Sequence, residues 1–186
     1  MECISRRIRE SIDVKQRILY DRELLTAIKR AADVLKVSLE QGGKILFCGN
    51  GGSASDSLHL TGEIVGRFQK ERKAMAAVSL NADVATMTSI ANDYGYDYIF
   101  ARAVEGLMRP EDILVGISTS GNSENIYQAV LKARKIGGHT IAFLGKNGGK
   151  IGKVTDVPII VPSDCTARIQ EAHIMIGHII CELIEK

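Results

Sequence analysis

The chain has 186 residues, 45% of them apolar and 25% charged, with 24 Lys and Arg against 22 Asp and Glu and a formal net charge of +2. That length suits one domain with a real core, and so small a net charge, with no Trp, argues against a nucleic-acid binder. The opening "MECISRRIRESIDVK" lacks the apolar stretch of a secretory leader, no apolar run approaches the ~18 residues of a membrane span, and Cys3, Cys48, Cys165 and Cys181 show no CxxC spacing. A reduced, cytoplasmic protein with no membrane partner is expected.

Taken in chain order, residues 1–20 carry Ile4, Ile8, Ile12 and Ile18 among charges and predict a helix. Asp21 can cap a second one, in which Leu24, Ile28, Ala32, Leu35 and Leu39 repeat at helical spacing until Gly42 and Gly43 stop it. "KILFCGN" (44–50) predicts a buried strand, and "SASDSLHLTGEIVGRF" (53–68) a helix. "AMAAVSL" (74–80) predicts a weaker strand, followed by helices over 83–91 and 97–108, a strand over 112–118 and a helix over 123–136. Strands "HTIAFLG" and "VPIIVP" and a helix over 166–185 complete the chain. Strands alternate with helices and are continuous apolar runs, which indicates an α/β fold with a parallel sheet covered on both faces. One domain, 1–186, is expected, with N-terminal helices over 1–41 and the sheet with its flanking helices over 42–186.

Two strands end in small polar residues and lead into helices: "CGNGGSAS" (48–55) and "ISTSGNSEN" (117–125). Ligands of such sheets bind beyond the carboxyl ends of the strands, and a helix N-terminus offers free N–H groups to a phosphate. Gly51 and Gly52 allow close backbone approach, and Ser118, Ser120 and Ser123 can add hydroxyls. Serines and asparagines are also ordinary turn and cap residues, and neither loop is a Walker A or a GxGxxG.

His59 and Glu63 are four apart, on one face of a helix about 6 Å apart along its axis. They could ligate a metal, act as acid and base, or belong to a solvent-facing stripe with Ser55, Asp56 and Arg67. From Ile174 to Ile184 nearly every residue is apolar, so His178 is expected to be buried, either with a task or bonded to a backbone carbonyl. His173 reads as structural and His139 as surface.

"CGNGGSASDSLHLTGEIVGRF", "SIANDYGYDYIFAR", "EDILVGISTSGNSENI", "GKNGGK" and "RIQEAHIMIGHIICELIE" together resemble the phosphoheptose isomerases of the sugar isomerase (SIS) domain superfamily. The resemblance implies a three-layer fold and the conversion of sedoheptulose 7-phosphate to a glycero-manno-heptose 7-phosphate through an enediol. It implies Glu63 as base and His178 as acid, and one zinc with His59, Glu63, Gln170 and His178 as candidate ligands. Metal ligation and proton transfer conflict in part for Glu63 and His178, and both assignments stand at this point. It further implies that Ser118, Thr119, Ser120 and Ser123 grip the phosphate, that Asn50, Gly51, Gly52, Ser53, Asn92 and Asp93 line the sugar with Glu63 and Gln170, and that the chain forms a homotetramer. Gln170 and His178 lie ~12 Å apart along one regular helix, so both reach one metal only by strained side chains, an irregular helix or a second chain. Leu58 departs from the Gln that many relatives carry there. The alternatives are a non-catalytic SIS protein of the replication-initiator-associating type, which lacks the acid found here at Glu63, and a sugar-phosphate-sensing regulatory domain, for whose usual attached module this chain has no room.

Overall fold

The computed structural model describes all 186 residues. Two long helices come first, α1 (Glu2–Tyr20) and α2 (Arg22–Glu40). Between them the Asp21 carboxylate accepts from the Leu24 N–H and caps α2. Then follow β1 (Ile45–Gly49), α3 (Gly52–Val65), β2 (Ala77–Ser79), α4 (Val84–Tyr94), and a 3₁₀ turn at Tyr96–Tyr98 that leads into α5 (Ile99–Leu107). The rest is β3 (Ile113–Ser118), α6 (Glu124–Ile136), β4 (His139–Gly145), the single turn α7 (Gly149–Gly152), β5 (Val157–Val161) and α8 (Thr166–Ile184).

The expected elements are present, with three differences. Helix α3 ends at Val65 rather than Phe68, because Gly66 leaves helical geometry at its C-cap and turns Phe68 into the following loop. Strand β2 is only three residues long and pairs with β1 alone. Turn α7 carries too few residues to show a period.

All five strands are parallel, in the order β2-β1-β3-β4-β5. The chain winds outward in one direction from β1 and in the other from β3, so the switch point lies between these two central strands. One face of the sheet, with Ile45, Phe47, Val115, Ile117 and Phe143, packs on α1, α2, α3 and α8. The other, with Leu46, Cys48, Leu114, Ala142 and Leu144, packs on α5, α6 and α7, with α4 at its margin. Every residue of β1 and β3 is buried, which is why these strands read as continuous apolar runs. Ile4, Ile8 and Ile12 on α1 stay exposed, and α4 has no buried residue. No helix is long and apolar enough to cross a membrane.

Candidate active site

The two polar loops flank the switch point and are tied together across it. The Asn50 Nδ2 donates to Asn125 Oδ1 (2.8 Å), Asn125 Nδ2 donates back to Asn50 Oδ1 (2.9 Å), and the Tyr96 hydroxyl donates to the same Asn50 oxygen (2.8 Å). Gly51 has φ +56°, a conformation that favours glycine, and the Ser53 N–H returns to the Asn50 carbonyl. Ser53 is buried, and a side chain at Gly52 would overlap the Gln170 amide.

Loop 118–123 is braced from below. Ser118 and Ser123 share a hydroxyl bond of 2.9 Å, and the Asn122 N–H donates to Ser120 Oγ (3.1 Å). Gly121 has φ +67° and any side chain there would run into the Gly148 carbonyl. The Ile151 N–H bonds the Gly121 carbonyl, the Lys150 N–H bonds Asn122 Oδ1, and the Lys150 ammonium pairs with Glu124. Ser123 stands at the N-cap of α6 without capping it. The result is a small cup of hydroxyls at a helix N-terminus, with Thr119 and Ser120 half-buried.

A second group of residues lies on α3 and α8. The His59 and His178 Nε2 atoms are 2.9 Å apart, and His59 Nε2 is 3.3 Å from Glu63 Oε1. One donor atom from each of His59, Glu63 and His178 falls within 4.8 Å of the others. The helices run the same way, since Gln170 meets Gly52 and Gly177 meets Leu60. A Cβ at Gly177 would lie 2.6 Å from Leu60 Cδ2, so the missing side chain lets the helices approach where His59 and His178 meet.

His178 is half-exposed, not buried as expected. Its ring stacks on Phe68 (centroids 5.4 Å, 23°) and meets the His59 ring edge-on (5.1 Å), and the rest of it is open to solvent beside exposed Ile179. The buried histidine is His173, whose Nε2 bonds the Leu144 carbonyl at 2.9 Å, and burial drives its pKa down to about 4 despite that bond. It has the structural role expected of it, and His139 is exposed. Gln170 does not join the cluster: α8 is continuous from Thr166 to Ile184, and the amide sits at the other end of α3, beside Gly52. Asn92 and Asp93 are exposed on the last turn of α4 and bond each other, with Tyr96 linking that corner to Asn50.

A family model for the SIS domain matches residues 9–145. A phosphoheptose isomerase of Clostridium acetobutylicum is 49% identical over 183 residues, 98% of this chain and 93% of that protein. The chain belongs to the phosphoheptose isomerase family. Solved phosphoheptose isomerases from Francisella tularensis (TM-score 0.95, 39% identity, 100% of this chain and 98% of that one) and Neisseria gonorrhoeae (TM-score 0.93, 42% identity, 99% and 97%) share the fold over its full length. In this phosphoheptose isomerase fold the residues that sequence reasoning passed over are those that hold others in place. Asn125 and Tyr96 position Asn50, and Phe68 lies on His178. Asp56 lies one turn before His59 with Oδ2 buried and unpartnered; burial raises its carboxyl and the nearby His59 opposes this. No periodicity marks Asn125, Tyr96 or Phe68, and helical spacing marks Asp56 only as a member of a solvent-facing stripe.

Proposed function

We propose that the chain interconverts sedoheptulose 7-phosphate and D-glycero-D-manno-heptose 7-phosphate, an aldose–ketose isomerisation in bacterial heptose biosynthesis. The carrying observation is a hydroxyl-lined cup at the switch point together with a His–Glu–His cluster, in a chain of this family. Ser118, Thr119, Ser120 and Ser123 with the α6 N-terminus hold the phosphate. Asn50, Gly51, Gly52, Ser53, Asn92, Asp93 and Gln170 orient the sugar. Glu63 takes a proton from C1 while His178 gives one to the C2 carbonyl oxygen, which leaves the enediol. A proton is then returned to C2 and one is taken from the C1 hydroxyl, so no net charge is gained.

Two imidazole nitrogens that face each other at 2.9 Å beside a carboxylate oxygen form a donor set that suits zinc. His59, Glu63 and His178 would hold the metal, with Gln170 as a further ligand, and Glu63 and His178 would serve as base and acid only at stages when they are not coordinated. When bound, zinc supplies a Lewis acid for the sugar oxygens.

Glu63 lies eleven residues beyond Gly52, ~16 Å along α3, whereas a seven-carbon chain with C–C bonds of about 1.5 Å spans only on the order of 10 Å. This favours an active site shared between copies, with the cluster of one serving the phosphate loop of another, and with Gln170 reaching the cluster from a neighbouring chain. The exposed Ile4, Ile8, Ile12 and Ile179 and the uncovered α4 offer surface for such an assembly, which we read as a homotetramer. The whole chain acts as one SIS domain, in the cytoplasm, supplying heptose for a surface glycan such as lipopolysaccharide.

Incubating the pure protein with sedoheptulose 7-phosphate tests the reaction: an aldoheptose phosphate should accumulate, and its absence with and without zinc would refute it. Sharing is tested by co-refolding Glu63→Gln with the Ser120→Ala/Ser123→Ala variant. With substrate held well below the raised KM of the serine variant, mixed assemblies should turn over faster than either parent alone, and parents that never complement each other would place each site within one chain.

A further inference from the structure

Glu185 directly follows α8, where the peptide dipoles leave partial negative charge, the wrong setting for a carboxylate. Its side chain is nevertheless only 1% exposed. It accepts from three successive main-chain N–H groups, Phe68 (2.9 Å), Gln69 (2.9 Å) and Lys70 (3.0 Å), and from Arg72 Nε (2.9 Å). Burial alone would raise this carboxyl, but the three N–H donors and the Arg72 guanidinium outweigh it and hold its pKa down to about 2.

Arg72 directs its other donors to carbonyls: Nη2 to Glu63 (2.9 Å), and Nη1 to Lys73 (3.1 Å) and Gly66 (3.4 Å). The carbonyls of Glu63 and Gly66 lie at the end of α3, where the helix itself leaves acceptors unpaired. One ion pair thus joins the C-terminal ends of α3 and α8 and fixes the loop between them. That loop carries Phe68, stacked on His178. A buried ion pair adds little net stability compared with apolar packing, so its place beside the cluster calls for another role. His59 and Glu63 are 47% and 23% exposed and gain little from packing to hold their rotamers.

We propose that Glu185 and Arg72 are positioning residues for the His59–Glu63–His178 cluster: Arg72 fixes the main chain of Glu63, and Glu185 fixes Phe68 against the His178 ring. The inference rests on the cluster being the reactive and metal-binding centre, and three readouts separate the two ideas. Zinc affinity is measured by competition with a chelating dye, the ring-nitrogen NMR shifts of His178 are measured without metal, and kcat and KM are measured with sedoheptulose 7-phosphate. Glu185→Gln should weaken zinc binding ~10–100-fold, as loss of a supporting contact does. It should also move the His178 shifts and lower kcat ~10-fold or more, with KM within ~2-fold. Phe68→Ala, which leaves the ion pair intact, should repeat the pattern more weakly, and Phe68→Tyr should restore it. Folded Glu185→Gln and Phe68→Ala proteins with wild-type zinc affinity and wild-type His178 shifts would overturn the proposal. So would losses that disappear after correction for the unfolded fraction. If the variants weaken zinc binding and move the shifts while even the wild type leaves the sugar phosphate unchanged, the clamp stands and the isomerase reading falls.

Discussion

Loop 118–123, proposed to hold the phosphate, offers main-chain N–H and short hydroxyls, whereas the His59–Glu63–His178 cluster offers the ends of long side chains on two helices. The loop is locked from beneath by the Gly148–Ile151 segment, by the Ser118–Ser123 bond and by the Asn50–Asn125 pair. The cluster has Phe68 on one side and open surface on another. Backbone recognition of a phosphate survives the loss of any one side chain fairly well. A cluster of side-chain ends loses its chemistry with one atom.

The largest expected effect follows from that contrast. Glu63→Gln should keep the fold and lower kcat by at least ~10²-fold, the usual cost of losing a general base, with KM little changed. Near-normal turnover in steady-state assays would show that Glu63 is not the base. Ser120→Ala/Ser123→Ala should act on the other side of the comparison. We expect a rise in KM of ~30-fold, equal to about 2 kcal/mol and on the scale of one hydrogen bond to a charged group, with a smaller change in kcat. Inhibition by inorganic phosphate should weaken in parallel, and unchanged inhibition would remove the phosphate from this loop.

The buried histidine of α8, His173, adds a pH readout. The His173 pKa lies at about 4 in the fold, below its ordinary 6.5, so the unfolded chain binds the proton more readily. Its contribution is therefore complete above about pH 6.5 and is lost as pH falls towards 4, roughly 1 kcal/mol by pH 5.5. Urea unfolding at pH 7 and 5.5 should show this loss, and His173→Leu should flatten it. A slope that persists in the variant belongs to another group. The smallest effect is expected at exposed His139, where substitution by Ala should change stability by less than about 0.5 kcal/mol in the same assay.

The sheet and the hydroxyl-lined loop at the α6 N-terminus were legible in the sequence because each depends on short-range pattern: apolar runs, and hydroxyls placed directly after them. His59 and Glu63 were legible as a pair because helical spacing puts them on one face. The exposure of His178 was not, since an apolar helix reads as buried whether this chain or another copy covers it. Gln170 was implied as a fourth metal ligand although helix spacing already set it ~12 Å from His178, and a straight α8 leaves it beside Gly52 at the far end of α3. The clamp was hidden for a different reason. Arg72 stands in the charged run "QKERK" and Glu185 is the penultimate residue, so nothing in the pattern separates either from its solvated neighbours.

Gly177 has a further consequence. Leu60 fills the place where its side chain would be, and the residues next to these two, His59 and His178, are the ones whose ring nitrogens face each other. The gauge between the two helices is therefore set by a hydrogen atom. A methyl group there would act as a shim, opening the bite of the donor set at the point where a small cation demands a fixed span. At the zinc site proposed above, the span offered to the ion would thus change from inside the helix contact, without a change in any donor.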